Sequence, residues 1–237
     1  MIPTIFDPHD DRDSVERLVV YGTGKFGRYM ALELASSYVY PPICIAADSQ
    51  YVYSKKIQIS SRVFDYYCID EITKYCPPNH YHMLVVFGGR SINERIEAFC
   101  KADSLGYRFV NYCHPSSVVN INWSDVVGRN IIVYENCTID DEAFFYDNVM
   151  VRPNCYIGHN STIGSHTFLS PGCHLAGYSS VGERCFIGMG ANIAGGSVAP
   201  CTLIGAGSLV LKHCGPNAKY FGVPAKIQEY LKDSIQT

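Results

Sequence analysis

The apolar residues of the chain follow two different patterns, which change near residue 113. Before that point, short apolar runs alternate with amphipathic stretches. Beyond it, large apolar residues recur at every sixth position. We therefore predict two domains, covering residues 1–113 and 114–237.

The first pattern predicts an α/β domain. An apolar strand over 17–22 runs into the glycine turn Gly22-Thr23-Gly24-Lys25-Phe26-Gly27, and a helix is predicted from 28 to about 37. Further strands are predicted over 43–48, 83–87 and 107–110, with a second helix ending near Leu105. Strands that alternate with helices form parallel sheets, so a Rossmann-like domain is expected.

The second pattern predicts a parallel β-helix. A period of six fits neither an α-helix nor a long alternating strand, but it fits short strands joined by tight turns. The register slips by one residue after Ile193 and resumes at Val198, Ile204 and Val210. Before the slip, thirteen consecutive sixth positions are apolar: Ile121, Val127, Val133, Ile139, Phe145, Val151, Ile157, Ile163, Leu169, Leu175, Val181, Ile187 and Ile193.

Smaller residues lie four places after most of these apolar positions, where a β-helix has its corners. Four of them are cysteines, which we interpret as small core residues and not as ligands. The set contains Cys137, Ala143, Val149, Cys155, Ser161, Thr167, Cys173, Ser179, Cys185 and Ala191.

Composition narrows the classes of function. Hydrophobic residues make up 47% of the 237 positions and the net charge is −3, so there is no basic field for nucleic acid. No apolar run has the 18 residues of a membrane-spanning helix. The acidic N-terminal stretch does not resemble a signal peptide, so we expect a cytoplasmic protein whose eleven cysteines are not paired in disulfides.

The chain resembles a known family over almost its whole length, from about Arg17 to Lys226. The residues that carry the resemblance are the glycine turn, Phe87-Gly88, His114-Pro115-Ser116, Ile157-Gly158-His159 and Gly222-Val223-Pro224-Ala225-Lys226. They are similar to the sialic acid O-acetyltransferase and bacillosamine N-acetyltransferase group of bacterial sugar acetyltransferases (NeuD/PglD-like). The resemblance implies a left-handed β-helix with three hexapeptides per coil and a homotrimer. It also implies acetyl-CoA as donor and a nucleotide-linked sugar as acceptor, in bacterial surface-glycan biosynthesis including lipopolysaccharide.

His159 matches the catalytic histidine of that family. It lies two places after a core position, so it should face outward, and a neutral imidazole can remove a proton from an attacking amine or hydroxyl at pH 7. The family often has glutamate next, where this chain has Asn160. Residues 18 apart should stack, so Asp141 could supply a carboxylate from the coil below and the Gly177 N–H could stabilise an oxyanion. A surface histidine and a solvated Asp141 are the alternatives.

The acetyl-CoA donor should lie in a groove between two β-helices of the trimer. The resemblance assigns donor contacts to Phe168, Met189 and Gly207, of which the last two are 18 apart. Lys226 and Lys212 are candidates for the nucleotide phosphates of the donor. Each of these residues could instead have a packing role.

The glycine turn is the candidate acceptor site. Gly22, Gly24 and Gly27 lie between a predicted strand and helix, and Asp48 follows about 20 residues later, which is typical of nucleotide-binding turns. The resemblance adds Gly88. A turn kept only for close packing of the helix is the alternative.

Parts of the sequence are also compatible with other functions. Three histidines, His159, His166 and His174, suggest a zinc site. Their spacings of seven and eight residues place them on different faces of the coil, so no metal is expected. The glycine motif alone would also suit a nicotinamide-dependent oxidoreductase. A non-catalytic trimeric scaffold is the third possibility.

Overall fold

The computed structural model describes residues 4–6, 17–36, 43–88, 92–121 and 126–231. The chain divides into two compact units. One is built mainly from Ile2–Gly88 and Glu94–Asn111, and the other mainly from Tyr112–Thr237.

The first unit contains a six-stranded sheet of order β4-β5-β3-β2-β6-β7, parallel except for the β4–β5 hairpin. The predicted strands and helices are present, whereas the hairpin is an addition. Its strands alternate buried and exposed residues only weakly, which hid it in the sequence. The elements up to residue 113 are β1 (Thr4–Phe6), β2 (Leu18–Tyr21), α1 (Lys25–Ser36), β3 (Ile43–Ala47), β4 (Lys56–Ile59), β5 (Arg62–Cys68), β6 (His82–Val85), α2 (Ile92–Ser104), β7 (Arg108–Phe109) and β8 (Asn111–Cys113), with 3₁₀ turns at Ser49–Tyr51 and Ile69–Lys74.

Helix α1 is buried along one apolar face. Its buried residues are Gly27, Met30, Ala31 and Leu34, which recur at helical spacing and form one apolar stripe. Strand β2 is buried along its whole length, as expected for a central strand of a parallel sheet.

The second unit is a parallel β-helix, which confirms the interpretation of the six-residue period. Its last strand, β25, is an exception, because it pairs antiparallel with β24. The strands of this unit after β8 are β9 (Val118–Val119), β10 (Ile132–Val133), β11 (Thr138–Ile139), β12 (Phe144–Phe145), β13 (Met150–Val151), β14 (Tyr156–Ile157), β15 (Thr162–Ile163), β16 (Phe168–Leu169), β17 (His174–Leu175), β18 (Ser180–Val181), β19 (Phe186–Ile187), β20 (Asn192–Ile193), β21 (Ser197–Val198), β22 (Leu203–Ile204), β23 (Leu209–Val210), β24 (Ala218–Phe221) and β25 (Lys226–Tyr230).

Three sheets form the sides of this β-helix. Sheet I runs β8-β10-β13-β16-β19-β22-β24-β25, sheet II runs β9-β11-β14-β17-β20-β23, and sheet III is β12-β15-β18-β21. Partners in successive coils are 18 residues apart, for example Ile139 and Ile157. The slip is also confirmed, because Val181 pairs with Val198, only 17 residues on. The arrangement fits a left-handed β-helix.

The interior is the predicted apolar column with one correction. Val127 is 68% exposed, whereas its neighbour Val126 is 5% exposed and joins the core. Residues 126–128 lie in no strand, so the six-residue rule does not extend to them. The four corner cysteines are all buried, as predicted.

The corners explain the frequency of asparagine in this half. Asn130, Asn136, Asn148, Asn154 and Asn160 all adopt left-handed backbone conformations, with φ between 53° and 62°. Asparagine tolerates this conformation better than most residues, because its short side chain can hydrogen-bond locally.

Candidate active site

The site lies on one corner of the β-helix, where the chain passes from sheet II to sheet III. We use the term catalytic corner for the stacked turns 140–143, 158–161 and 176–179. The strands before and after each turn are paired to neighbouring coils, so the turns are held in fixed register.

His159 projects from the middle turn and is exposed, as predicted. Its Nδ1 atom lies 3.0 Å from Oδ1 of Asn160. The Nδ2 atom of Asn160 in turn donates to the Glu142 carboxylate in the coil below. The imidazole is therefore the end of a hydrogen-bonded chain of three side chains.

Gly177 lies against the other ring nitrogen of His159. A Cβ atom at Gly177 would be 2.5 Å from Nε2, so a larger residue would displace the ring. Among the described residues, the Gly177 N–H donates to no backbone acceptor, whereas the next N–H, that of Tyr178, donates to the His159 carbonyl at 2.8 Å. The prediction that Gly177 stacks beside His159 thus agrees with the geometry.

Asp141 does not occupy the position predicted for the orienting carboxylate. Its backbone carbonyl accepts the Asn160 N–H at 3.2 Å, but among the described residues its carboxylate has no hydrogen bond to His159. The reason is the direction of the imidazole. Nδ1 turns towards Asn160, and the residue stacked 18 positions below Asn160 is Glu142 and not Asp141.

Glu142 and Tyr178 were not identified from the sequence. Tyr178 is 76% exposed, and its ring meets the imidazole edge to face, with centroids 5.0 Å apart. Both residues lie 18 positions from Asn160, so applying the stacking rule to Asn160 as well as to His159 would have found them.

A cavity of about 290 Å³ opens next to the catalytic corner on the outer surface of sheet II. The phenol of Tyr156 donates to Asp140 at 2.7 Å, and this bond raises the pKa of Tyr156. Nδ1 of His174 lies 3.2 Å from Oδ1 of Asn192. The cavity therefore offers polar groups in fixed orientations, and it is lined by Tyr156, His174, Ala176, Asn192, Ile193 and Ala194.

The predicted donor contacts lie elsewhere on the β-helix. Met189 is 62% exposed in a turn from sheet I to sheet II, which is a different corner from that of His159. The N–H of Gly207 donates to the Met189 carbonyl at 2.8 Å. The predicted column of Met189 and Gly207 is shifted by one residue, because Ile187 pairs with Ile204 and this register aligns Met189 with Ala206.

The remaining donor predictions differ in exposure. Phe168 is only 5% exposed and stacks on Phe186 with centroids 5.4 Å apart, which leaves little of its ring for a ligand. Lys226 is exposed at the start of β25, and Lys212 is also exposed.

Four glycines of the first unit lie near the carboxyl ends of β2 and β6. Gly22 has φ of 131°, and a Cβ there would collide with the Val86 carbonyl. Gly27 is in similar contact with the Gly22 carbonyl, which explains both residues by close packing. A Cβ at Gly24 would have no atom within 4 Å, and one at Gly88 would lie 3.0 Å from the Phe26 ring.

Asp48 is engaged within the first unit. It accepts a hydrogen bond from the Tyr21 hydroxyl at 2.8 Å and forms an ion pair with Lys101 at 3.3 Å. Burial, together with the bond to Asp48, raises the pKa of Tyr21. Burial opposes ionisation of Lys101, but its bonds to Asp70 and Asp48 raise its pKa above the ordinary value.

The three histidines occupy separate places. His166 lies on the corner between sheets III and I, where its Nδ1 is 3.0 Å from Nδ2 of Asn148, and His174 lies on sheet II. Within the described ranges, no group of three histidine, cysteine, aspartate or glutamate side chains could hold a metal ion. Within the same ranges, no helix has the length and apolar character needed to cross a membrane.

Comparison with solved structures identifies the fold. The acetyltransferase domain of PglB from Neisseria gonorrhoeae FA1090 aligns with a TM-score of 0.77 at 22% identity, over 90% of this chain and 100% of that domain. PerB from Caulobacter crescentus, in complex with CoA and GDP-perosamine, aligns with 0.73 at 23%, over 91% and 99%. WeeI from Acinetobacter baumannii AYE aligns with 0.74 at 16%, over 89% and 99%.

No protein-family model matches the chain, and a comparison with curated protein sequences finds no match. The structural likeness extends over both units and over nearly the full length of each neighbour. The chain therefore has the fold of the sugar acetyltransferases that carry a hexapeptide-repeat β-helix.

Proposed function

We propose that the protein is an acetyl-CoA-dependent acyltransferase that modifies an amino or hydroxyl group of a nucleotide-linked sugar in bacterial surface-glycan biosynthesis, such as that of lipopolysaccharide. The observation that carries the proposal is the catalytic corner, where Nε2 of the exposed His159 lies beside Gly177. Structural neighbours support it, since PerB was solved with CoA and GDP-perosamine and the PglB domain with acetyl coenzyme A. Such substrates would place the activity in the cytoplasm.

In this mechanism His159 is the general base. Nε2 takes the proton of the attacking amine or hydroxyl as that atom forms a bond to the thioester carbonyl carbon. The carbonyl oxygen becomes an oxyanion, for which the Gly177 N–H is the available donor. When the carbon–sulfur bond breaks, the imidazolium returns the proton to the CoA thiolate. Two similar structures are of perosamine N-acetyltransferase variants in which one histidine is replaced, which agrees with a histidine at the centre of the chemistry.

The first unit is proposed to be a Rossmann-like domain that holds the nucleotide part of the acceptor. Its parallel strands are arranged in the order β5-β3-β2-β6-β7. The chain adds β3 and β5 on one side of β2 and then β6 and β7 on the other side, so the strand order switches between β2 and β6. Ligands of such sheets bind at this switch point. Gly22 and Gly88 follow these two strands. Gly24 has open space around it, so its backbone could be approached closely by a phosphate.

The donor groove is proposed to lie between chains of a homotrimer. His159 and Met189 occupy different corners of one β-helix, so a donor that touches both positions needs a second copy of the chain. Oligomers of this kind close by rotational symmetry, which repeats the same groove at each interface.

The experiment is a thiol-release assay with acetyl-CoA against a panel of nucleotide-linked amino sugars and plain sugars. Release of CoA that depends on one acceptor class, together with mass-spectrometric detection of the acetylated sugar, supports the proposal. No release with any member, at saturating acetyl-CoA, would favour the non-catalytic scaffold. Nicotinamide bound to the purified protein would favour the oxidoreductase.

A further inference from the structure

We propose that Glu142, acting through Asn160, fixes the tautomer and direction of the His159 ring. This inference rests on the proposed function, in which His159 is the base. Both residues are positioning residues, since neither needs to touch the substrate. The base of this chain is thus oriented by a neutral amide that is itself held by a carboxylate.

The directions of the hydrogen bonds follow from the chemistry of the three groups. An ionised carboxylate can only accept, so the Asn160 side chain must present its NH₂ group to Glu142. The amide oxygen is then left facing Nδ1 of His159, 3.0 Å away. An amide oxygen also only accepts, so Nδ1 carries the proton and Nε2 keeps its lone pair.

The backbone supports this assignment. Asn160 has φ of 53°, a conformation in which the side chain lies close to the turn, and its N–H is fixed to the Asp141 carbonyl. Glu142, one coil below, has φ of 54° and therefore occupies the equivalent place in its own turn. Coil stacking thus brings the two side chains together without a flexible connection.

The other charged or titratable groups around His159 are differently engaged. Asp140 accepts the Tyr156 hydroxyl at 2.7 Å, and Tyr178 meets the imidazole through its ring edge. Asp141 contributes a backbone carbonyl to the turn. Glu142 is the carboxylate whose hydrogen bond, through Asn160, leads to Nδ1.

Nitrogen NMR of histidine-labelled full-length protein tests the relay without substrates, with the His159 signals assigned from their loss in His159→Ala. We expect the wild type to show a protonated Nδ1 and a free Nε2 at neutral pH. In Glu142→Gln the new amide can either donate or accept, so the Asn160 amide can turn over and both tautomers should be populated.

Asp141→Asn is the matched control, because it removes the same charge from the same turn without touching the relay. It should leave the tautomer unchanged. Pairing Asn160→Asp with Glu142→Gln reverses the polarity of the lower hydrogen bond while keeping an acceptor for Nδ1, so the double variant should recover the single tautomer. A free Nδ1 in the wild type, or equal tautomer ratios in Glu142→Gln and wild type, would overturn the relay.

The kinetic readout separates this inference from the proposed function. If Glu142 supports the base, the acidic limb of the pH–rate profile should move to lower pH in Glu142→Gln and stay in place in Asp141→Asn. If the wild type has a single tautomer but His159→Ala keeps its kcat, the relay is supported and the assignment of His159 as the base is wrong. If the wild type has mixed tautomers but His159→Ala loses its activity, the base assignment is supported and the relay is wrong.

Discussion

The imidazole of His159 is constrained on both of its nitrogen atoms. Nδ1 is bonded to Asn160, and Nε2 lies over Gly177, where only a residue without a side chain fits. The ring edge contact with Tyr178 adds a third constraint. Such fixation reduces the reorganisation needed when the base takes a proton, which is the usual requirement for a positioned catalytic group.

Replacing His159 with alanine should lower kcat by about 10²–10⁴-fold, because that is the typical contribution of a positioned general base. The donor affinity and the proposed oligomer should be preserved, since the side chain is exposed. Steady-state kinetics with both substrates saturating and calorimetry with CoA provide the measurements. His166→Ala, on another corner, serves as the control and should have far less effect. A near-normal kcat in His159→Ala would refute the mechanism.

At the residue scale, the sequence indicated an exposed His159 with Gly177 beside it, but not the neighbours Glu142 and Tyr178. His159 was identified because it matches a family motif, and Gly177 because stacked residues are 18 apart. Glu142 was missed in favour of Asp141, since the choice depends on which way the ring turns, and this is a rotamer decision that no spacing encodes. Phe168 was assigned to the donor by resemblance, while its burial depends on the packing of neighbouring coils.

At the scale of elements, the glycine turn after β2 combines structural and open positions. Gly22 and Gly27 are required by close backbone contacts, whereas Gly24 faces open space. This difference allows the binding role of the turn to be tested without damage to the sheet.

Gly24→Arg should raise the acceptor KM and leave the affinity for CoA unchanged, because the arginine side chain would occupy the space proposed for the phosphate. Gly27→Ala is the contrasting variant, since its Cβ would collide with the Gly22 carbonyl and should destabilise the unit itself. Initial-rate kinetics and thermal unfolding separate the two effects. An equal loss of donor binding in Gly24→Arg would mean that the assignment of ligands to units is wrong.

The buried cysteines make the stability of the protein sensitive to alkaline pH. Burial raises the pKa of Cys113 and of Cys185 to about 12, from an ordinary value of 9.0. Because the folded pKa is higher, the stabilising contribution is complete below pH 9 and is lost as pH rises towards 12. At pH 10 the loss should be about 1.4 kcal/mol for each thiol.

Urea unfolding at pH 8 and pH 10 measures this loss. In Cys185→Ala the decrease in the free energy of unfolding between the two pH values should be smaller by about 1.4 kcal/mol. Cys100→Ala, at an exposed position of α2, should show the same decrease as the wild type. An unchanged decrease in Cys185→Ala would contradict the assignment of a protonated core thiol.

The elements differ in how far sequence could predict them. The β-helix follows from its period, because each coil repeats the same requirement for a large residue inside and a small one at the corner. The β4–β5 hairpin has no such repetition, and exposed, half-buried and buried residues are mixed along its strands. Val127 was placed in the core wrongly, because the six-residue rule was extended to a segment that lies in no strand.

At the scale of the whole molecule, the separation of corners bears on the proposed homotrimer. His159 lies between sheets II and III, while Met189 and Gly207 lie between sheets I and II. Within one chain these positions are on different edges of the β-helix. If both belong to one active site, each site must combine the base of one chain with the donor surface of another, and a monomeric mass by light scattering at micromolar concentration would exclude this.

Mixed trimers provide the decisive measurement. His159→Ala removes the base, and Met189→Glu places a carboxylate on the donor surface, where it opposes the phosphates of CoA; each homotrimer should be poorly active at low acetyl-CoA. The two variants are then refolded together in equal amounts. A shared site takes its base from one chain and its donor surface from the next. It is therefore intact wherever a Met189→Glu chain, which keeps His159, is followed by a His159→Ala chain, which keeps Met189. Random assembly in a ring of three gives this arrangement in roughly a quarter of the sites, so about that fraction of wild-type activity should return. Mixing the folded homotrimers without refolding is the control and should restore nothing. Sites contained within single chains would recover no activity on refolding, since every chain then carries one defect, and that result would disprove the shared groove even in a protein that is a trimer.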